Sequence, residues 1–242
     1  GRRVWWPMYA STELRLLSLL LLLAAPAAAT NPCPGATHSG TNYSGQDLQN
    51  RNFSNQSLVG ANFTNAKLQG AVFSGATLTG ADFSGAELGL STTSGRSTSF
   101  SRAELGNACF YGASVATSDF QFANLPCTVF DNTDLSLSVF GPIIKAASPS
   151  GPCRTSFQSA VLNCEFIPQW KDLEFTRANV QACFERLRGV DFTDARMDGV
   201  VFSGIDLSST TWVRAHLQGA FFLNAKLKNA VMSSADLRRA QL

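Results

Sequence analysis

Charge is scarce in these 242 residues: Asp, Glu, Lys and Arg together make up 15%, and the formal net charge is +2. No block of like charge occurs, so the chain has neither a basic nucleic-acid arm nor an acidic tail. Histidine is scarcer still, at two residues, His38 and His216. His38 precedes the regular part of the chain and His216 takes an outward position beside Leu217, so both read as ordinary surface histidines. Neither implies a nucleophile–base pair. There is no C-x-x-C, no P-loop and no G-x-G-x-x-G, which removes the short redox and nucleotide signatures. No catalytic residue, cofactor or metal ligand is expected. Tyrosine is rare too, with 3 Tyr against 18 Phe. The aromatics are therefore mostly apolar filling, and Asn, Ser, Thr and Gly carry the polarity that charge does not.

A long hydrophobic run is also lacking. The apolar run from Leu16 to Ala25 follows Arg2 and Arg3 and ends in Pro26 and Ala27-Ala28-Ala29. A spanning helix needs about 20 apolar residues. A basic start, a short apolar run and a small-residue cleavage site read as a signal peptide over 1–29, cut after Ala29. A retained membrane anchor is the alternative, favoured by Trp5 and Trp6 at an interface position. Membrane contact is expected only if this segment stays. Residues 30–242 carry 16 basic and 16 acidic side chains, a net charge of zero.

What the chain has in abundance is a period of five. Ala61-Asn62-Phe63-Thr64-Asn65 is followed by Ala66-Lys67-Leu68-Gln69-Gly70, Ala71-Val72-Phe73-Ser74-Gly75 and Ala76-Thr77-Leu78-Thr79-Gly80. The unit is Ala, a polar residue, a Phe or Leu centre, a small polar residue, then Gly or Asn. Centres run from Tyr43 to Leu88, through Phe53, Phe63, Leu68, Phe73, Leu78 and Phe83. They resume from Phe100 to Phe140, through Phe110, Phe120 and Phe130, and again from Phe192 to Leu242, through Phe202 and Phe222. Ala and the centre lie two residues apart, on one side of a short extended segment. Gly and Asn accept the bend. If each bend is near a right angle, four units close a square coil, and coils stack at ~4.8 Å through backbone hydrogen bonds. Phe and Leu alternate, so Phe53 lies over Phe73, Phe63 over Phe83 and Phe202 over Phe222, with Ala filling the narrow corners.

The A-(D/N)-L-x-x pattern resembles the pentapeptide-repeat family over about 43–140 and 190–242. That resemblance implies an all-β fold, a right-handed quadrilateral β-helix, across 30–242. Residues 89–99 and 141–156 break the period and read as protruding loops, and 163–191 as an irregular stretch. Asp82, Asp119, Asp206 and Asp236 precede centres and read as repeat residues. The sequons at Asn42, Asn52 and Asn62 are the repeat itself, and that at Asn55 is read with them as coincidence.

Six cysteines, Cys33, Cys109, Cys127, Cys153, Cys164 and Cys183, behind an export signal suggest disulfides rather than a metal site. Cys164 and Cys183 are one residue short of a coil apart, about 6 Å, within disulfide reach. Cys109 and Cys127, about 8 Å apart, would need backbone distortion. The sequence stops at a centre, Leu242, with no cap after it, so either the C-terminus is truncated or this end associates end to end with another chain.

Export signal, cysteines and repeat together resemble the pentapeptide-repeat proteins of the thylakoid lumen. The resemblance implies a non-enzymatic scaffold with protein partners and no nucleic acid, associated with a photosynthetic membrane complex. Periplasm or cell exterior is the alternative location. A DNA-mimicking topoisomerase inhibitor, the other known kind, needs strong negative charge and a cytoplasmic site, and both are missing here. A loop-based ligand binder would need a pocket in 141–191, where the sequence shows none.

Overall fold

The computed structural model of the chain describes residues 33–141, 155–162, 173–180 and 187–242. The proposed signal peptide or anchor therefore lies outside the described residues. The unit Ala81-Asp82-Phe83-Ser84-Gly85 shows how five residues make an edge and a bend. Oδ1 of Asp82 accepts the Ser84 amide at 2.8 Å and the Ser84 hydroxyl at 2.5 Å. This Asx turn bends the chain directly after the apolar centre. Ala86 then donates its amide to the Phe83 carbonyl at 3.0 Å, with Gly85 at φ 65° between them. A turn of this kind needs a left-handed residue at its third position, which is why Gly and Asn close the unit. Asn42, Asn52, Asn62, Asp119, Asp191, Asp206 and Asp236 make the same amide contact two residues on. Three of the sequon asparagines are thus turn caps.

Successive coils pair through single parallel bridges. One column runs Asn42, Asn62, Asp82, Cys109, Val129, Ser156, Glu174, Arg196, His216 and Asp236. Three more begin at Asp47, Asn52 and Ser57, giving each coil four sides. The fold is a right-handed quadrilateral β-helix. Among the described residues, adjacent residues pair only at β1 (Asp134–Leu135) and β2 (Val161–Leu162), which are parallel with Asp134 opposite Val161.

Two aromatic ladders fill the interior. Phe63, Phe83, Phe110 and Phe130 stack at centroid spacings of 4.8, 4.8 and 4.9 Å. Phe53, Phe73, Phe100 and Phe120 stack at 4.9, 5.0 and 5.0 Å. The ladders meet edge to face, as Phe73 and Phe83 do at 5.6 Å. Both arrangements suit the ring quadrupole. The ring spacing matches the strand spacing, so each coil seals the one below. Leu68, Leu78 and Phe202 are fully buried and Phe222 almost so, with Phe202 and Phe222 stacked at 5.2 Å.

Within the stack, most of the Ser and Thr hydroxyls that replace the corner Ala are buried and paired with backbone carbonyls, Ser118 being the exception. Thr98 and Thr128 donate to the carbonyls of Leu68 and Leu105 at 2.9 Å, and Ser138 to that of Val115 at 2.7 Å. Thr210 donates to Leu207 at 2.6 Å and accepts from Nε1 of the buried Trp212 at 2.6 Å.

The coil accepts insertions without losing register. Val72 pairs with Ser99 although the usual step is twenty residues, as in Asn52 to Val72. The surplus leaves as a short hairpin in which Leu90 pairs with Ser97 in antiparallel sense. Asn50 holds it to the coils: its side-chain amide donates to Thr93 at 3.0 Å, and its Oδ1 accepts from Ser94 at 2.5 Å.

Candidate functional site

A segment outside the repeat makes a buried side-chain cluster that breaks the regularity of the described faces. Residues 33–41 do not coil. They run as a strap along the stack. Gly40 donates its amide to the Gly60 carbonyl at 3.0 Å and Thr37 to that of Gly80 at 3.2 Å. Cys33 is disulfide-bonded to Cys109 in the coil above. The strap lies directly on backbone: a Cβ at Gly40 would meet the Val59 carbonyl oxygen at 2.3 Å, and one at Gly60 would meet Thr37 Oγ1 at 2.4 Å.

Under the strap, His38 Nε2 lies 2.6 Å from Asp82 Oδ2. The Ser84 hydroxyl lies 3.0 Å from Cys33 Sγ and 3.5 Å from Cys109 Sγ. Ligand atoms of Cys33, Asp82 and Cys109 all fall within 4.8 Å of one another. These three are buried, whereas the His38 side chain is 51% exposed.

The cluster fills in one point that the sequence reading left open and corrects another. Cys109 pairs with Cys33, and Cys127 is itself disulfide-bonded. The pairing was out of reach of coil arithmetic because Cys33 precedes the first unit and so has no register. His38 is not an ordinary surface histidine but the partner of a buried carboxylate. One available signal was Cys109 itself. It occupies the outward polar position before Phe110, where neighbouring units carry Asp, Ser or Glu. Cys153, Cys164 and Cys183, and with them the 164–183 pairing, lie outside the described residues.

A second feature is an open groove of about 430 Å³ along one corner, built from turn residues of successive coils. Asn55, Gly75, Ser101 and Arg102 line it, and Phe122 ends it. The Arg102 guanidinium sits 5.9 Å from the Phe122 ring centroid, a cation–π contact. His216 is half-buried in the column between Arg196 and Asp236, away from both features.

The family description "Pentapeptide repeats" matches residues 57–92, 186–211 and 213–242, in 8 copies. The chain belongs to the pentapeptide repeat family. Similar members among solved structures include QnrB1, a plasmid-mediated fluoroquinolone resistance protein. It is 20% identical, with 83% of this chain and 93% of that one covered and a TM-score of 0.44. HetL, involved in heterocyst differentiation regulation in the cyanobacterium Nostoc sp. strain PCC 7120, is 19% identical. There 97% of each chain is covered, and the TM-score is 0.34. A thylakoid-lumen pentapeptide repeat protein of Arabidopsis thaliana is 30% identical, covering 46% of this chain and 77% of that one, with a TM-score of 0.31. No curated protein matches. As a pentapeptide repeat protein, the chain spends its recurring Asp and Asn residues on turns, so the strap cluster stands apart from the motif that defines the family.

Proposed function

We propose that the chain is a non-enzymatic protein-interaction scaffold of an exported, oxidising compartment, the thylakoid lumen, beside a photosynthetic membrane complex. The observation that carries this reading is the Cys33–Cys109 disulfide on a rigid repeat stack. Structural disulfides persist in oxidising compartments and are rare in the cytosol. Cys127 is oxidised as well. The basic start and apolar run of 1–29 supply a route for export. Solenoid faces present side chains at fixed spacing over many coils, which suits them to extended protein contacts.

The test uses the full chain in its native cells. Cysteines are alkylated before lysis, with and without prior reduction, the compartments are separated, and intact chains are cross-linked and weighed. The expected result is a lumenal chain beginning after Ala29, with Cys33, Cys109 and Cys127 blocked, cross-linked to a subunit of a membrane complex. A chain in the cytosol with these cysteines reduced overturns the reading. A chain in the periplasm or outside the cell keeps the scaffold and removes the lumen.

A further inference from the structure

The turn beneath the strap does not need a charge. One coil below, Asn62 makes the same bonds through Oδ1, accepting the amide and the hydroxyl of Thr64. Asp82 does this work with a buried carboxylate, 7% exposed, and a buried charge is costly unless it is paired. Part of the pairing is His38 on Oδ2. Oδ1 takes the Ser84 amide and hydroxyl, and the sulfurs of Cys33 and Cys109 lie within 4.8 Å.

We propose that, once the Cys33–Cys109 disulfide is reduced, Cys33 Sγ, Cys109 Sγ and the Asp82 carboxylate bind a zinc-class divalent cation. His38 acts as the outer partner that orients the carboxylate. The three ligand atoms already lie within 4.8 Å of one another and are contributed by the strap and two successive coils. Two thiolates and one carboxylate are a zinc donor set; thiolates disfavour magnesium and calcium, which prefer oxygen. Three protein ligands leave a fourth position open. A histidine hydrogen-bonded to a ligating carboxylate is the kind of outer contact that tunes such sites.

The chemistry balances with a dithiol as reductant. It gives two electrons and two protons to the disulfide and becomes a disulfide itself. The two thiols of the chain then release their protons to solvent as the cation binds. Oxidised, the two sulfurs are bonded to each other and no thiolate is available. The site therefore exchanges a covalent staple for a metal staple at one place on the stack. The inference rests on the cluster alone and holds whichever compartment the chain occupies.

The experiment uses the full unsubstituted chain, reduced by a dithiol, freed of reductant without air and treated with Zn2+. Alkylation is then followed at the Cys33 and Cys109 peptides. Zn2+ is expected to protect both, Mg2+ neither, and the oxidised chain should take up no ion there. Asp82→Asn retains the turn bonds, as Asn62 shows, and should abolish the protection while leaving the circular dichroism unchanged. His38→Ala is expected to lower zinc affinity about 10–100-fold. Equal alkylation of Cys33 and Cys109 with and without Zn2+, or full protection in Asp82→Asn, overturns the proposal.

Discussion

A single outward carboxylate can be a cap or a burden, depending on what covers it. Asp131 is half-buried; burial raises its pKa above the ordinary 3.8, against the lowering effect of hydrogen bonds from the Ser156 hydroxyl and the Gln158 amide. Those bonds are 2.5 and 2.9 Å long. A folded pKa above the unfolded one means that the group favours the fold below about pH 4 and loses that contribution as pH rises through the raised value. Asp131→Asn keeps an acceptor oxygen and no charge. It is expected to be more stable than the parent at pH 7, with the difference closing toward pH 3, read by urea unfolding at both pH values. Taking the difference between variant and parent removes the opposite effect of Asp206 and Asp236. Their pKa values are lowered chiefly by hydrogen bonds from the side chains of Ser208 and Arg238 respectively. The sequence displayed which positions are outward, since they alternate with the centres. It did not display which outward positions are covered, because cover comes from other coils and from the strap.

At the level of the coil, the period of five was enough to place Phe63 over Phe83 and Phe53 over Phe73, because ring size, Ala spacing and turn chemistry all point to one geometry. The corner hydroxyls were not foreseen. Thr210 looks like a mere departure from Ala, yet it supplies the acceptor that the buried Trp212 indole needs. Thr210→Val should therefore cost about 1–3 kcal/mol in unfolding free energy, the penalty of an unpaired buried donor. In a Trp212→Phe background the same change should cost markedly less, and a double-mutant cycle measures the coupling. Additive effects would show that the indole finds another partner.

Over the whole stack, stability depends on contacts between neighbours, so the strap matters beyond its size. The Cys33–Cys109 bond closes 76 residues of chain. Loss of such a link typically costs 2–5 kcal/mol. The Cys33→Ser, Cys109→Ser double variant is expected to unfold at lower urea than the oxidised parent by an amount of that order. A midpoint equal to the parent's would mean that the backbone bonds of Thr37 and Gly40 hold the strap unaided. The outer surface leads to a second expectation. With 16 basic and 16 acidic residues in 30–242, the stack lacks the negative field of a DNA mimic. The chain from residue 30 onward should leave gyrase supercoiling unchanged, and inhibition in a supercoiling assay would reverse the reading.

The strap also decides how the molecule bears load. In a plain solenoid, tension on the N-terminal side peels the first coil away bond by bond, which is the weak direction for any zipper. Here a pull arriving at Cys33 passes through sulfur to Cys109 before it reaches Asn42. The coils that begin at Asn42, Asn62 and Asp82 lie off the path of the force, and the load enters the stack at a coil gripped on both sides.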